Sequence, residues 1–270
     1  MATFASMSIL FSAVGIRAAA RPVLLPLCLG VLILAVWSGA IGLLRISPVV
    51  LPRPGAVLKV LTDNLPLLQE HAMHTAFEIA GALAISIAVG FALAMLLSVS
   101  HTVRAALMPN LVFFELIPKI ALAPLFIIWL GTGIESRLVF ALFLAFFPIL
   151  ISSTIGLTLT DPALLRLCRS LKATSWQTFA SVRLPYALPF VFSGIKIGST
   201  MAVIGVIVGE FITGNRGLGY IIMFAASNME TSLMLAAMTL LCLLGSVVYG
   251  LVSLSEWLFN LRYGRPIRPD

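Results

Sequence analysis

Charge is scarce in this sequence. Lys and Arg number 17 and Asp and Glu 10, so 10% of the 270 residues are charged while 60% are hydrophobic. A soluble domain carries about 25% charged residues. A soluble globule of this composition could not cover its surface, and disordered chains are polar and charge-rich. Both classes are excluded, and an integral membrane protein remains. Cysteine is nearly absent: Cys28, Cys168 and Cys242 stand far apart with no C-x-x-C, which argues against a disulfide framework or a zinc site. Histidine is limited to His71, His74 and His101, all near membrane borders, so no metal cluster is evident. The four lysines (Lys59, Lys119, Lys172 and Lys196) never follow a glycine. The chain therefore lacks the Gly-Lys-Ser/Thr ending of a P-loop. No nucleophile–base arrangement suggests an enzyme. The net charge of +7 does not point to nucleic acid, because the basic residues are spread between apolar runs and form no patch.

What is present is long apolar runs. A helical span needs roughly 20 mainly apolar residues, and the runs 23–44, 73–98, 108–130, 138–157, 188–212 and 232–258 qualify. The first is too long for the apolar core of a signal peptide, about 7–15 residues, and no cleavage-like site follows it. The expected fold class is all-α, a polytopic membrane protein of about six transmembrane helices. With the N-terminus inside, ten basic residues fall in inner segments and five in outer ones (Arg45, Arg53, Lys59, Arg137 and Arg216). Basic residues gather on the cytoplasmic side, so both termini are expected there. The organisation reads as an N-terminal cytoplasmic segment 1–22, a first transmembrane helix 23–44, a core 45–258 and a cytoplasmic tail 259–270. A short surface helix fits 56–70, and the glycines of 213–231 mark a turn-rich outer stretch.

The inner connection 158–187 carries helix punctuation. Asp161 suits a cap and Pro162 the first helical position. Leu164, Leu165, Leu167, Cys168 and Leu171 recur at helical spacing, with Arg166 and Arg169 away from most of that stripe. Thr174 and Gln177 have capping-box spacing and open a second helix that bears Trp176, Phe179 and Ala180. Pro185 is expected to end it. Two readings of this exposed pair stand on the residues alone: a knob that docks into a groove of another protein, or an interfacial pair on lipid headgroups.

Ionisable residues inside spans are costly and face protein interiors; here they are Glu78, Glu115, Lys119, Lys196 and Glu210. Glu115 and Lys119, four apart, can pair, either locking helices together or lining a polar route. Lys196 either snorkels to the inner interface or attracts an anionic solute. Glu210 shapes an outer gate or packs near the rim, and Glu78 is expected to be hydrated at the outer end of its span. Pro118 and Pro124 break the third span. Irregular backbone at membrane depth is tolerated where it lines a cavity, so 114–125 is the first candidate for a pathway lining. Gly194, Gly198, Ser199, Ala202 and Gly205 give the fifth span a close-packing face, fit for helix contact, including contact with a second copy.

The run Asp161 to Gln177, followed by Val182-Arg183-Leu184-Pro185-Tyr186-Ala187-Leu188-Pro189, resembles the cytoplasmic "EAA" loop of ABC importer permeases. Ile117-Pro118-Lys119-Ile120-Ala121-Leu122-Ala123-Pro124-Leu125, Gly209-Glu210-Phe211 and Gly217-Leu218-Gly219-Tyr220 are similar to the nitrate/sulfonate/taurine/bicarbonate branch. The likeness covers about 50–260. Two positions depart from it: Arg166-Leu167-Cys168 stands for Glu-Ala-Ala, and Lys172 for the usual Gly. A basic residue there is similar to members that import aromatic compounds such as pyrimidine precursors, riboflavin or phthalate.

The resemblance implies a MetI-like type I ABC importer permease fold and a permease subunit in the bacterial inner membrane. Its implied partners are two ATPase subunits, a second permease copy, a periplasmic solute-binding protein and the lipid bilayer, with no nucleic acid. It implies no cofactor in this chain, ATP and Mg being bound by the partner. The implied coupling residues are Arg166, Leu167, Cys168, Arg169, Ser170, Leu171, Lys172, Ala173, Thr174 and Trp176. The implied path residues are Glu115, Pro118, Lys119, Pro124, Lys196 and Glu210. The implied cargo is a small organic or anionic solute, sulfonate-, taurine- or nitrate-like, or aromatic and pyrimidine-like. The rival functions are a proton-coupled secondary transporter using Glu115, Lys119 or Glu210, and a membrane-embedded scaffold.

Overall fold

The computed structural model describes residues 25–263, with side chains through 261. The expected N-terminal segment 1–22 and the tail beyond 263 lie outside the described residues. The apolar runs fold as α1 (Leu25–Leu44), α2 (Pro54–Asp63), α3 (Leu65–Val99), α4 (His101–Leu116), α5 (Ala123–Leu130), α6 (Ile134–Thr158), α7 (Pro162–Ser170), α8 (Ser175–Thr178), α9 (Leu184–Thr213), α10 (Leu218–Ser227) and α11 (Thr231–Tyr263). Among the described residues, five helices, or six with the broken α4–α5 pair, are long and apolar enough to cross a membrane.

Three spans form the core. Ile79, Leu83 and Ala94 of α3, Ala141, Ala145 and Ile149 of α6, and Val191, Ala202 and Val206 of α9 are buried together. The small-residue face of α9 is consumed inside the chain: Gly194, Gly198 and Gly205 press on Ser152, Ile149 and Ala141 of α6. The approach is closest at Gly205, where a Cβ would stand 2.5 Å from the Ala141 Cα. In lipid, small residues let helix backbones meet and gain dispersion contacts, and these contacts join α9 to α6. α1 lies at the edge of the bundle, with Trp37 packed against the cluster that joins α2, α10 and α11.

Three boundaries differ from the sequence reading, and one expected break is seen. The second span begins at Leu65, not residue 73, because Leu68 is fully buried and His71, Thr75 and Glu78 all find partners on the inner face of the helix. The supposed turn-rich stretch 213–231 contains α10, whose Leu218, Ile221, Ile222 and Ala225 are buried at helical spacing. The third run is split as expected at Pro118: a 3-10 turn at Lys119–Leu122 separates α4 from α5, and the two halves meet at 83°, while Pro124 falls in the first turn of α5. Pro185 does not end the second loop helix. A π turn at Phe179–Arg183 joins α8 to α9, and Pro185 lies just after it, so the proline is accommodated at the π turn and the helix continues.

Candidate functional site

The loop 158–187 folds as two short helices at one end of the bundle. The Asp161 carboxylate accepts from the Ala163 N–H at 2.7 Å and opens α7. α7 closes through paired bonds: the Ala173 N–H donates to the Cys168 carbonyl at 2.9 Å and the Lys172 N–H to the Arg169 carbonyl at 3.0 Å. These are the 6→1 and 5→2 bonds of a Schellman motif, whose C′ residue must be left-handed and is usually glycine. Lys172 occupies that position with φ of +52°. The geometry thus accounts for a glycine at this place in the resembled signature and identifies Lys172 as strained.

Thr174 and Gln177 form the capping box in both directions, with Gln177 N–H to Thr174 Oγ1 at 3.2 Å and Thr174 N–H to Gln177 Oε1 at 2.8 Å. Trp176 stacks on Phe179 with centroids 5.7 Å apart yet stays 73% exposed. Leu167 and Leu171, one turn apart, are also exposed, as are Arg166 and Ser170. Cys168 and Ala173 are half-buried and the Cys168 thiol is free. The helix pair thus exposes two leucines, a tryptophan and a basic edge.

The break between α4 and α5 brings Glu115 and Lys119 together at 2.7 Å. Lys119 Nζ also lies 4.9 Å from the centroid of Phe147, which stacks with Phe114. Pro118 sits at the break and Pro124 starts α5. This segment therefore joins irregular backbone, an ion pair and aromatic faces.

The remaining ionisable groups have partners the sequence did not reveal. Lys196 is bonded to Glu256 of α11, so it neither reaches freely to an interface nor offers a bare cation. Glu78 is not hydrated. It is 4% exposed and forked by Arg137 of α6, Nη2 to Oε1 at 2.6 Å and Nε to Oε2 at 3.0 Å. Glu210 is buried at the end opposite the loop and accepts from the Thr75 hydroxyl and the Gly219 N–H, both at 2.7 Å.

Those last bonds belong to one device. A helix start leaves N–H groups without partners, and Gly217, which precedes α10, has no side chain to cap them. Side chains from other helices do so instead. His71 Nδ1 accepts from Gly217 at 3.0 Å, Thr75 Oγ1 from Leu218 at 2.8 Å, and Glu210 from Gly219. Gly217 is obligatory here, with φ of +103° and the Glu210 carboxylate in the space a Cβ would fill. The sequence reading missed His71, Thr75, Arg137 and Glu256. A signal existed for the first two: 71, 75 and 78 follow i, i+4, i+7 on one helix face.

The chain was then compared with known proteins. Residues 86–256 match the family model described as binding-protein-dependent transport system inner membrane component. Over 235 residues the chain is 33% identical to a probable ABC transporter permease protein of Haemophilus influenzae, covering 87% of this chain and 95% of that one. It is 31% identical to the riboflavin transport system permease protein of Chloroflexus aurantiacus, covering 83% and 85%. It is 30% identical to the taurine transport system permease protein of Escherichia coli, covering 78% and 80%. The chain belongs to the binding-protein-dependent transport inner membrane component family: it is a multi-pass permease subunit of an ABC importer, not itself an enzyme, and works with ATPase and solute-binding partners.

Proposed function

We propose that this permease couples to its ATPase partners through α7 and α8, with that end of the bundle and both termini in the cytoplasm. The observation that carries the proposal is the exposed Leu167–Leu171–Trp176 ridge on two well-capped helices. An aromatic knob flanked by apolar residues is what a groove on another protein recognises. Arg166 and Lys172 select an acidic rim on that groove. ATP and Mg are held by the partner, which lends this chain only motion. Two ATPases meet two permease copies, and a periplasmic binding protein docks at the end that holds α2 and α10.

Motion enters through α8. The π turn carries it into α9 without a break in the helix, and the close contact at Gly205 carries it into α6. α3, α6 and α9 then rock as one body, while the jointed α4–α5 segment bends. The solute passes the bend, where Glu115, Pro118, Lys119 and Pro124 line the path. Lys196 and Glu210 hold its walls through Glu256 and the start of α10. A cation beside aromatic faces suits a small organic anion or a flat heteroaromatic solute. The relatives named for taurine and riboflavin import span both kinds.

The test is ATPase activity of the chain co-purified with its ATPase and binding protein, with sulfonates, nitrate, pyrimidines and aromatic acids offered in turn. Stimulation by one compound is expected in the wild type and its loss in Trp176→Ala/Arg166→Glu. Stimulation that survives in the double variant refutes the coupling role of the ridge.

A further inference from the structure

Behind the docking ridge lies a second surface. A cleft of about 590 Å³ separates the end of α3 from α7, α8 and the π turn, with Arg169, Arg183, Trp176, Phe179, Ser98 and Thr178 among its walls. Its volume falls within the roughly 300–1,000 Å³ of small-molecule sites. No acidic side chain lines it. Among the described residues, neither guanidinium has a carboxylate partner. The single acid of 158–187, Asp161, is engaged with the Ala163 N–H. Two arginines, with hydroxyls beside them, therefore face an open space without a counter-charge.

The cleft shares Trp176 with the ridge but none of the ridge's leucines. Leu165 and Arg169, one turn apart on α7, turn toward it, while Leu167 and Leu171 are 55% and 72% exposed. The cleft is also continuous with an exposed apolar flank of α3, since Val99 lines it and is 83% exposed, and Leu96, less than a turn earlier, is 67% exposed. A water-side cationic pocket that opens onto an apolar helix flank has the shape of a lipid: headgroup in the pocket, acyl chains along the helix. Basic pockets between spanning helices on the cytoplasmic side hold anionic headgroups. The arginine fork suits phosphate oxygens, and tryptophan is at home at headgroup level.

We propose that this cleft binds the phosphodiester headgroup of an anionic phospholipid through Arg169 and Arg183, with its chains against Leu96 and Val99. The inference rests on the cytoplasmic placement of 158–187 proposed above, with the cleft at the membrane border. The lipid then wedges behind the coupling helices and props α7 away from α3, so leaflet composition sets the posture in which the ridge is offered.

The test uses the full chain alone in detergent micelles, so it reads out whether or not the ATPase associates. Dioleoyl phosphatidylglycerol and dioleoyl phosphatidylcholine are added at equal concentration, and retained lipid is counted by native mass spectrometry. Wild type is expected to retain the anionic lipid about 30-fold better, the combined share of two surface cations. Arg183→Ala should lose about 5-fold on the same basis, and Arg169→Ala/Arg183→Ala should show no preference. Arg169→Lys/Arg183→Lys keeps the charge and most of the preference, and it decides the matter if circular dichroism shows that the alanine variant is unfolded. Equal retention of both lipids by wild type overturns the proposal, as does an undiminished preference in a folded alanine variant or a lost one in the folded lysine variant. Complete displacement by millimolar glycerol 3-phosphate marks a free-phosphate site and overturns the lipid.

Discussion

Breaking the Glu78–Arg137 fork should reveal how much of the fold rests on one buried pair. Both side chains are under 9% exposed, and the two shortest bonds are 2.6 and 3.0 Å. Replacing Arg137 by Met leaves the Glu78 carboxylate in the bundle with no cation beside it. Removal of one partner of a buried pair costs about 3–5 kcal/mol, whereas replacement of both by apolar groups of similar volume is often neutral. In a chain of this size each kcal/mol moves the midpoint by roughly 2–4 °C. Arg137→Met and Glu78→Leu should therefore each lower it by roughly 6–20 °C. The double variant should lie well above either, within about 1–2 kcal/mol of wild type.

The assay is unfolding in micelles followed by tryptophan fluorescence, run as a double-mutant cycle. The expected coupling is at least about 2 kcal/mol, because residues that share a charge pair are strongly non-additive. Additive losses would refute the reasoning. They would mean that water or lipid headgroups already solvate one of the two groups, and that the pair only records proximity. Gly209→Ala is an informative companion. Its Cβ would meet the Arg137 Cγ at 2.9 Å, so it presses on the cation without removing it and should cost less than Arg137→Met.

Other expectations follow from single contacts. Gly205→Val should destabilise by about 1–3 kcal/mol through overpacking on α6, while Gly245→Ala, whose nearest neighbour would be 3.8 Å away at Val203, should unfold at or slightly above the wild-type midpoint. Lys172→Gly removes about 1–2 kcal/mol of left-handed strain but loosens the unfolded chain by about 0.4–1 kcal/mol. Its midpoint should equal or exceed that of wild type, while Lys172→Val should fall below it. Glu210→Gln keeps an acceptor for the Gly219 N–H and should cost less than Glu210→Ala, which leaves that donor unmet at about 1–3 kcal/mol. Transport retained by the Gln variant would also exclude Glu210 as a proton carrier.

Local features were legible in the sequence and distant ones were not. The caps at Asp161 and Thr174, the break at Pro118 and the Glu115–Lys119 pair each involve residues within four positions of one another. Each is governed by backbone rules that a sequence displays directly. The partners of Glu78, Lys196 and Glu210 lie 59, 60 and 135 residues away. Only the packing of spans brings those residues together, and a hydropathy pattern does not encode which span neighbours which. α10 was missed because its glycine-rich entry reads as a turn, and its N–H groups are satisfied from α3 and α9 rather than by a local cap. Pro185 misled because the π turn just before it accommodates the proline and lets the helix continue. The small face of α9 was visible, but the identity of the helix it meets was not.

The two ends of the bundle are built differently, and the difference bears on how motion is carried. At the end opposite the loop, His71, Thr75, Glu210 and the Glu78–Arg137 fork bond α3, α6, α9 and α10 to one another. At the loop end, α7 is held mainly by its own caps and borders an open cleft, while α8 runs unbroken into α9. A push on Trp176 therefore meets a stiff lever, with compliance only at the α7–α8 joint around Lys172 and at the bend between α4 and α5. Spin labels placed in a variant freed of Cys28, Cys168 and Cys242 test this. The distance from position 178 to position 203 on α9 should stay constant when the partner ATPase closes, and that from 178 to 112 on α4 should change. Change in the first distance would show that the π turn yields, and that the loop moves independently of the core.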